Sequence, residues 1–177
     1  MILETDRLLL RHWKESDVND LYEAAKNPKI GLNAGWTPHK NVEESMEIIK
    51  TIFNSDSVFA VELKSNKKVI GSIGYLTKEN SHLKYLKDNE VEIGYWISED
   101  YWKKGICTEA LKRLIKYCFE IKKYNVIWGT FFLDNSASGR VMEKCGFIKT
   151  NEQVYLDDLK EGKDKLVQVM KLEKKEN

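Results

Sequence analysis

Two hydrophobic periods alternate along the chain. Segments in which apolar and polar residues alternate predict β-strands, and segments with apolar residues three or four positions apart predict helices. The predicted strands cover residues 5–11, 57–63, 68–76, 90–97 and 126–132, and a closing hairpin joins 153–156 to 166–172. Four helices are predicted. The first follows a cap at Ser16 or Asp17, the second covers 42–54, the third begins near 106, and the fourth lies between Asp134 and Gly146. The order strand, helix, strand over residues 90–132 predicts a parallel pair with a crossover helix.

Two polar segments interrupt this pattern. Asn27-Pro28 ends the first helix, and residues 30–40, with two glycines and a proline, predict a long ordered loop that could form a lip over a site. Residues 77–89 are rich in turn formers and predict a surface loop before the strand at 90–97. In that strand one face carries Val91, Ile93, Tyr95 and Ile97, and the other carries Glu92, Gly94 and Trp96.

The composition narrows the class of protein. With 42% hydrophobic and 32% charged residues, the 177-residue chain resembles a soluble protein that folds as a single domain, 1–177. The 29 basic side chains balance the 28 acidic ones, which argues against direct nucleic-acid binding. Glu4, Asp6 and Arg7 interrupt the start before any long apolar run, so we expect no secretory leader, no membrane span and a cytoplasmic location.

Cysteine and histidine positions argue against a metal site or a disulfide framework. Cys107, Cys118 and Cys145 are odd in number and lack CxxC spacing, and two of them fall on the apolar stripe of a predicted helix. His12, His39 and His82 are too scattered to form a ligand set. We therefore expect reduced thiols and no metal.

The junction between the strand at 90–97 and the following helix predicts an anion site. A strand that passes into a helix through a short glycine-bearing turn leaves backbone N–H groups unpaired at the positive end of the helix dipole. Lys103 and Lys104 add positive charge, Gly105 permits close approach, and Thr108 with Glu109 is expected to satisfy first-turn donors. On this spacing alone, a plain turn with solvated lysines explains the segment about equally well.

Five motifs carry a resemblance to a known family. They are ETDRLLLRHWKESDVNDLYE, GWTPHKNVEES, VIGSIGYL, EIGYWISEDYWKKGICTEALKRLIKYCFE and NSASGRVMEKCGF, in this order along most of the chain. The sequence resembles the GNAT acetyltransferases, and within them the RimJ/RimL-like N-acetyltransferases. The resemblance implies an α/β fold with a mixed, mostly antiparallel sheet of six or seven strands and about four helices. In the family's fold the sheet splays between the fourth and fifth strands, and acetyl-CoA lies in the gap between them.

The resemblance also implies the residues that bind acetyl-CoA. Trp102–Cys107 matches the pyrophosphate loop, usually Gln/Arg-x-x-Gly-x-Gly/Ala, with departures at Trp102 and Cys107. We expect the site to survive both, because the loop binds through backbone N–H groups, and we expect the Cys107 thiol to face the core. Tyr95–Ile97 should offer backbone groups to the pantetheine arm, and Asn135 should hydrogen-bond it. The full predicted set is Tyr95, Trp96, Ile97, Trp102, Lys103, Lys104, Gly105, Ile106, Cys107, Thr108, Asn135, Ser138 and Arg140.

The catalytic residues are less well defined. Many GNAT enzymes have a tyrosine that acts as the general acid seven residues after the asparagine that corresponds to Asn135, but that position here is Met142. Ser138, one turn earlier, is the candidate to protonate the leaving thiolate, or else a small packing residue. Glu92 is the candidate base, acting through a water, or else an outward carboxylate paired with a lysine. Trp36, His39 and Tyr75 could shape the acceptor pocket or be hydrophobic anchors.

Three functions remain open from the sequence. The first is N-acetylation of a protein N-terminal α-amino group, such as that of a ribosomal protein, and the second is acetylation of a small amine such as an antibiotic, amino acid or polyamine. A peptide acceptor predicts an open groove between residues 30–40 and the hairpin tip at 155–165, and a small acceptor predicts a closed, acidic cavity. The third is a non-catalytic acyl-CoA-binding module, suggested by Met142. Acetyl-CoA and an amine are the expected partners of a monomer or homodimer.

Overall fold

The sheet brings eight strands together in one layer. The computed structural model of the protein describes residues 1–156 and 166–175. The strands are β1 (Ile2–Glu4), β2 (Leu8–Arg11), β3 (Val58–Leu63), β4 (Val69–Leu76), β5 (Glu90–Ile97), β6 (Val126–Phe132), β7 (Ile148–Tyr155) and β8 (Leu166–Glu173). They are ordered β1-β2-β3-β4-β5-β6-β8-β7. Only β5 and β6 pair in parallel among these described strands, which confirms the predicted crossover.

Helices cover both faces of this sheet. The α-helices of the described residues are α1 (Val18–Ala25), α2 (Pro28–Ala34), α3 (Val42–Lys50), α4 (Ile106–Glu120) and α5 (Ser136–Lys144). The apolar stripe of α4 packs on β4 and β5 in the larger core, where Val91, Ile93 and Leu111 are buried. A second core, around Trp13 and Ile49, packs α1 and α3 on the opposite face. Within the described ranges, none of the helices is long and apolar enough to span a bilayer.

The first predicted strand is divided into two. Residues 5–7 form a turn between β1 and β2, which pair antiparallel. The amide of Thr5 donates to the carbonyl of Leu8 at 3.0 Å, and the Thr5 hydroxyl accepts from the Leu8 amide at 2.9 Å. A threonine that bonds to the backbone in this way favours a turn over a continuous strand. The sheet therefore has eight strands rather than the six or seven expected.

The predicted loop at 30–40 begins with a helix. Asn27 ends α1 but also caps α2, because its side chain accepts from the Lys29 amide at 3.0 Å and Pro28 occupies the first helical position. Gly35, at φ +87°, ends α2 in the left-handed conformation. The prediction of a continuous loop was wrong, since Asn-Pro is a start signal as well as a stop signal. The five α-helices exceed the expected four for this reason.

Residues 77–89 are not simply a surface loop. Leu83 and Leu86 are buried and form a small apolar cluster with Val169 of β8, against which Trp128 of β6 packs. Ser81 is buried as well. The polar composition of the segment gives no sign of these apolar contacts, which attach it to the sheet at β6 and β8.

The sheet splits between β5 and β6. Their parallel pairing runs from Glu90 with Val126 to Ile93 with Gly129. Beyond that point, Gly94–Ile97 pair with β4, and Thr130–Phe132 pair with β8. Two strands held by different neighbours diverge, since each follows the twist of its own part of the sheet. The split lies between the fourth and fifth strands of the predicted order, as the resemblance implies.

Candidate active site

The loop before α4 presents backbone donors at the open end of the split. Gly105 is the N-cap of α4 at φ +74°, and it has no side chain to cap the first turn. Lys103 is also left-handed, at φ +60°, and Lys103–Gly105 are exposed. The Lys104 ammonium lies 5.4 Å from the ring centroid of Tyr101. Uncapped N–H groups, the helix dipole and two lysines together suit a pyrophosphate, so this loop fits the acetyl-CoA that the resemblance implies.

The two departures from the loop motif have structural roles. The Trp102 indole N–H donates to the carbonyl of Ile97 at 2.6 Å, so this side chain braces the loop against the end of β5. Cys107 packs against the core, and burial together with the neighbouring Cys145 raises the pKa of its thiol to about 12. The thiol faces the core, as expected, and stays protonated at neutral pH. Neither side chain replaces a backbone donor of the loop.

Glu109 does not satisfy first-turn donors of α4, contrary to expectation. Its carboxylate accepts from the Thr5 hydroxyl at 2.6 Å, from the Arg7 amide at 3.0 Å and from the Arg7 guanidinium at 2.6 Å. Arg7 was not predicted as a site residue. The motif ETDRLLLR contains it, but no local pattern relates it to a segment about 100 residues away.

Asn135 stands at the other side of the split. It caps α5, and its side-chain oxygen accepts from the Ser138 amide at 3.4 Å. Its side-chain amide donates to the carbonyl of Asn33, at the end of α2, also at 3.4 Å. The amide that should hydrogen-bond pantetheine thus contacts the segment that carries Trp36 and His39.

Ser138 and Tyr95 form a hydroxyl pair. The Tyr95 phenol lies 3.0 Å from both the carbonyl oxygen and the hydroxyl of Ser138. Burial, with Cys107 nearby, raises the pKa of Tyr95, so its phenol keeps its proton. Met142 is buried, and a side chain added at Gly129 would meet its sulfur at 2.8 Å. Position 142 therefore lies in the core, and Ser138 and Tyr95 each supply a hydroxyl in this region.

Glu92 is buried rather than directed outward, because the segment 77–89 covers it. The carboxylate is 2% exposed. It accepts from the Ser81 hydroxyl at 2.6 Å, the His82 amide at 2.9 Å and the Thr130 hydroxyl at 3.2 Å. Burial alone would raise the pKa of Glu92, but the bonds from the His82 ring and Ser81 hold it below its usual value. The alternative of a solvated carboxylate paired with a lysine was wrong, and Glu92 is an ionised group just below the split.

Trp36 and His39 reach β5 at Trp96. The ring of Trp36 lies 5.3 Å from that of His39 and 6.2 Å, edge-on, from that of Trp96. The His39 Nδ1 lies 2.8 Å from the Ser45 hydroxyl, which fixes the ring at the start of α3. These contacts place the predicted lip on the face of the sheet that also carries Glu92.

Tyr75, which was predicted to shape the acceptor pocket, lies elsewhere. Tyr75 pairs with Ile93 in the sheet and, 4% exposed, packs against Tyr117 of α4, so strand alternation places it on the face opposite Trp36. Its assignment to the acceptor pocket is corrected accordingly. Arg140 donates to the Ser136 hydroxyl at 3.0 Å along the exposed surface of α5. Its assignment to acetyl-CoA binding stays a prediction.

Metal ligands are not grouped in the described parts of the chain, where no three His, Cys, Asp or Glu side chains cluster suitably. Cys107, Cys118 and Cys145 are free thiols.

Comparisons with known proteins agree on the family. Residues 7–148 match the acetyltransferase (GNAT) domain family. YoaA, an uncharacterised N-acetyltransferase of Bacillus subtilis (strain 168), is 29% identical over 153 residues, 84% of this chain and 83% of YoaA. YdaF of the same organism, provisionally named a ribosomal N-acetyltransferase, is 33% identical over 75 residues, 41% of each chain.

A solved structure shares the fold. The spermidine N-acetyltransferase of Vibrio cholerae, in complex with CoA and spermine, aligns with a TM-score of 0.75, 19% identity and 96% coverage of both chains. The split sheet, the loop before α4 and a family match over most of the chain lead to one conclusion. The protein belongs to the GNAT acetyltransferases, enzymes that move an acetyl group from acetyl-CoA to an amine.

Proposed function

We propose that the chain is a RimJ/RimL-like N-acetyltransferase of the cytoplasm, a monomer or homodimer, that acetylates the α-amino group of a protein N-terminus. The observation that carries the donor half of this proposal is the divergence of β5 and β6 beyond Ile93 and Gly129, beside an uncapped helix start at Gly105. A thioester donor needs such an extended slot with an anion site at its end.

The donor would be held mainly by backbone groups. When bound, acetyl-CoA supplies an activated acetyl group on a good leaving group. The N–H groups of Gly105–Thr108 would receive its pyrophosphate, with Lys103 and Lys104 adding charge. The edge of β5 at Tyr95–Ile97 would pair with its amide-bearing arm, and a backbone N–H there would stabilise charge on the carbonyl oxygen.

Glu92 is the group best placed to remove the proton of the amine. It is ionised and lies on the face that carries Trp36 and His39. Because its carboxylate is buried, a water would carry the proton from the amine to it. As the N–C bond forms and the C–S bond breaks, one proton leaves the nitrogen for Glu92.

Ser138 is the group best placed to supply a proton to the departing sulfur. Its hydroxyl can donate to the thiolate, while the Tyr95 phenol, 3.0 Å from both the hydroxyl and the carbonyl oxygen of Ser138, can turn its single proton to the hydroxyl oxygen. Tyr95 thus acts as a positioning residue that stabilises the charge left on Ser138, until Ser138 takes a proton back from solvent and Glu92 releases its own. If orientation of the reactants supplies most of the rate, the thiolate can also depart unassisted.

The proposed acceptor, a protein N-terminus, is supported by one relative, and a solved structure illustrates the alternative. The provisional ribosomal assignment of YdaF favours a protein N-terminus. The spermidine N-acetyltransferase, which shares only the fold, illustrates the alternative of a small amine. Of the hairpin tip at 155–165 that would close the groove, residues 157–165 lie outside the described residues.

An acceptor screen with radiolabelled acetyl-CoA tests the proposal. It should contain peptides with a free α-amino group, the same peptides blocked at that group but carrying an internal lysine, and spermidine, amino acids and aminoglycosides. We expect label on the free peptides alone. Label on a small amine would establish the alternative. Tight acetyl-CoA binding by calorimetry, without thiol release over any acceptor, would establish the non-catalytic module.

A further inference from the structure

The turn between β1 and β2 is bonded to the loop before α4. One Nη of Arg7 donates to the carbonyl of Lys104 at 3.1 Å. Its Nε and other Nη both lie 2.6 Å from the same Glu109 oxygen, and its backbone amide donates to the second oxygen at 3.0 Å. The Thr5 hydroxyl donates to that second oxygen at 2.6 Å. All three guanidinium nitrogens of Arg7 are therefore engaged.

The bond to Lys104 falls at the strained part of the loop. Lys104 lies between two left-handed residues, Lys103 at φ +60° and Gly105 at φ +74°. A left-handed residue that is not glycine is unfavourable and persists only where its surroundings hold it. The bond from Arg7 fixes the peptide plane between Lys104 and Gly105. In a trans peptide the N–H points opposite to the C=O, so the Gly105 N–H is directed away from Arg7.

Glu109 keeps Arg7 in this position. Burial alone would raise the pKa of Glu109, but the bonds from Thr5 and Arg7 hold it below its usual value, so the pair is ionised at neutral pH. These bonds use three of the five guanidinium N–H groups, and the charge of Arg7 is paired with Glu109, which weakens Arg7 as a direct ligand for another anion. The Arg7 side chain is about half exposed, and the three N–H groups used in these bonds face the protein.

We propose that Arg7, held by Glu109, is a positioning residue for the pyrophosphate of the donor. It fixes the Lys104–Gly105 peptide so that the backbone N–H groups of the loop converge before the donor arrives. This inference rests on the proposed binding of acetyl-CoA at Gly105, and it goes beyond it by assigning a role to the distant N-terminal turn.

The first test needs no ligand. Amide hydrogen exchange of the free protein should show faster exchange over residues 102–107 in Arg7→Ala than in the wild type, by about tenfold, as expected for losing a charged hydrogen bond. Arg113→Ala is the matched control, because Arg113 lies on α4, as Glu109 does, and its guanidinium likewise bonds a backbone carbonyl between α4 and the N-terminal segment, that of Glu4, at 3.1 Å. Equal exchange over 102–107 in both variants would overturn the proposal.

The second test measures binding. Arg7→Ala should raise the Kd for CoA about tenfold, and the Kd for dephospho-CoA by the same factor, because the loop and not the 3′-phosphate is affected. Arg7→Lys should not restore affinity, since an ammonium cannot bond Lys104 and Glu109 in the same fork. Glu109→Gln should weaken binding in the same direction, with less than additive loss in the double variant.

The outcomes separate this inference from the proposed function. If the wild type binds CoA, Gly105→Asp abolishes binding and Arg7→Ala binds normally, the site stands and the role of Arg7 is refuted. A loss confined to CoA, with dephospho-CoA unaffected, would mean direct contact with the 3′-phosphate and would also refute it. If the wild type binds no CoA, the proposed function fails for this loop and the role of Arg7 fails with it.

Discussion

The two sides of the split between β5 and β6 are built in different ways. On the proposed donor side, one continuous segment, Trp102–Thr108, would supply most of the groups, and they are largely backbone N–H groups. On the acceptor side, the groups are side chains from separate segments, including Trp36 after α2, Glu92 on β5 and Thr130 on β6. The donor side therefore depends on backbone conformation, and the acceptor side depends on individual side chains.

This difference determines how each side responds to substitution. A backbone site tolerates a change of side chain wherever the conformation is kept, which is why tryptophan and cysteine at positions 102 and 107 are compatible with it. Replacing a buried carboxylate such as Glu92, by contrast, removes the acceptor of several hydrogen bonds and leaves their donors unpaired. We expect single side-chain changes to be severe on the acceptor side and mild on the donor side, except where they alter the backbone.

The largest effect should come from Glu92→Gln. Loss of a general base lowers kcat by about 10²–10⁴-fold. The matched control is Glu90→Gln, because Glu90 is also a buried carboxylate of β5 on the same face, where it accepts from the Trp128 indole at 2.9 Å, but it lies farther from the split. Initial rates at saturating acetyl-CoA, with thermal melts of both variants, measure the difference. Equal loss in the two variants would assign Glu92 to stability.

The pH dependence of the rate also tests Glu92 as the base, because it predicts the direction in which the acidic limb of the profile should move. The pKa of Glu92 is held below its usual value, so this base is ionised throughout the neutral range. A rate that rises near neutral pH would therefore report another group, such as the acceptor amine. Ser81→Ala removes one donor, which should raise the pKa of Glu92 and move the acidic limb of the profile to higher pH. An acidic limb that does not move would argue against Glu92 as the base.

The lowered pKa of Glu92 also predicts how the stability of the fold depends on pH. A depressed carboxylate pKa contributes stability above the unfolded value, about 4.3, and that contribution is lost as the pH falls through the folded value. The stability difference between the wild type and Glu92→Gln should therefore be largest at neutral pH and shrink in acid.

The next largest effect should come from Gly105→Asp on the donor side. An added carboxylate repels the pyrophosphate, and φ +74° is unfavourable for a residue with a side chain, so the Kd for CoA should rise by about 10²–10³-fold. Gly105→Ala separates the two causes, because it keeps the conformational cost without the charge. Cys107→Ala should leave the Kd nearly unchanged, since the thiol faces the core. Similar losses from Gly105→Asp and Cys107→Ala in calorimetry would contradict a backbone site.

Ser138 lies between the two sides and should show an intermediate effect. Ser138→Ala should lower kcat by roughly 10–10³-fold with little change in acetyl-CoA affinity, as expected for loss of one proton donor. Tyr95→Phe should have a smaller effect in the same direction and add little to Ser138→Ala, because the phenol acts through Ser138. Single-turnover rates at saturating donor check both variants. An unchanged rate in Ser138→Ala, once chemistry limits turnover, would mean that the thiolate departs unassisted.

The sequence predicted the backbone around the loop before α4 better than the surroundings of Glu92, for a physical reason. Strand, glycine turn and helix are consecutive between Glu90 and Glu120, so their periods and the φ-permissive Gly105 are visible locally. The parallel β5–β6 pair followed from the same local order. The family resemblance supplied the split, which depends on pairing of Thr130–Phe132 with partners 35 to 39 residues away that no local pattern encodes.

The errors arose where tertiary contacts decide. The polar segment 77–89 gives no sign that Ser81 and His82 bond to Glu92, and a strand glutamate by itself suggests an exposed position. The contact of Arg7 with Lys104 joins segments 97 residues apart. Tyr75 was misplaced for a simpler reason, since alternation within its own strand was not connected to that of β5, where its partner Ile93 faces α4.

The smallest effect tests which face of the sheet meets the acceptor. Trp36→Leu keeps an apolar side chain but removes the ring that packs on His39 and Trp96, so the KM for the acceptor should rise several-fold, about the effect of losing one aromatic contact, with kcat little changed. Tyr75→Phe is the control from the opposite face. It removes one buried hydroxyl, which should cost about 1 kcal/mol of stability and leave the acceptor KM unchanged. Steady-state kinetics at saturating acetyl-CoA, with thermal melts, measure both variants. A raised acceptor KM in Tyr75→Phe and a normal one in Trp36→Leu would reverse the assignment of the two faces.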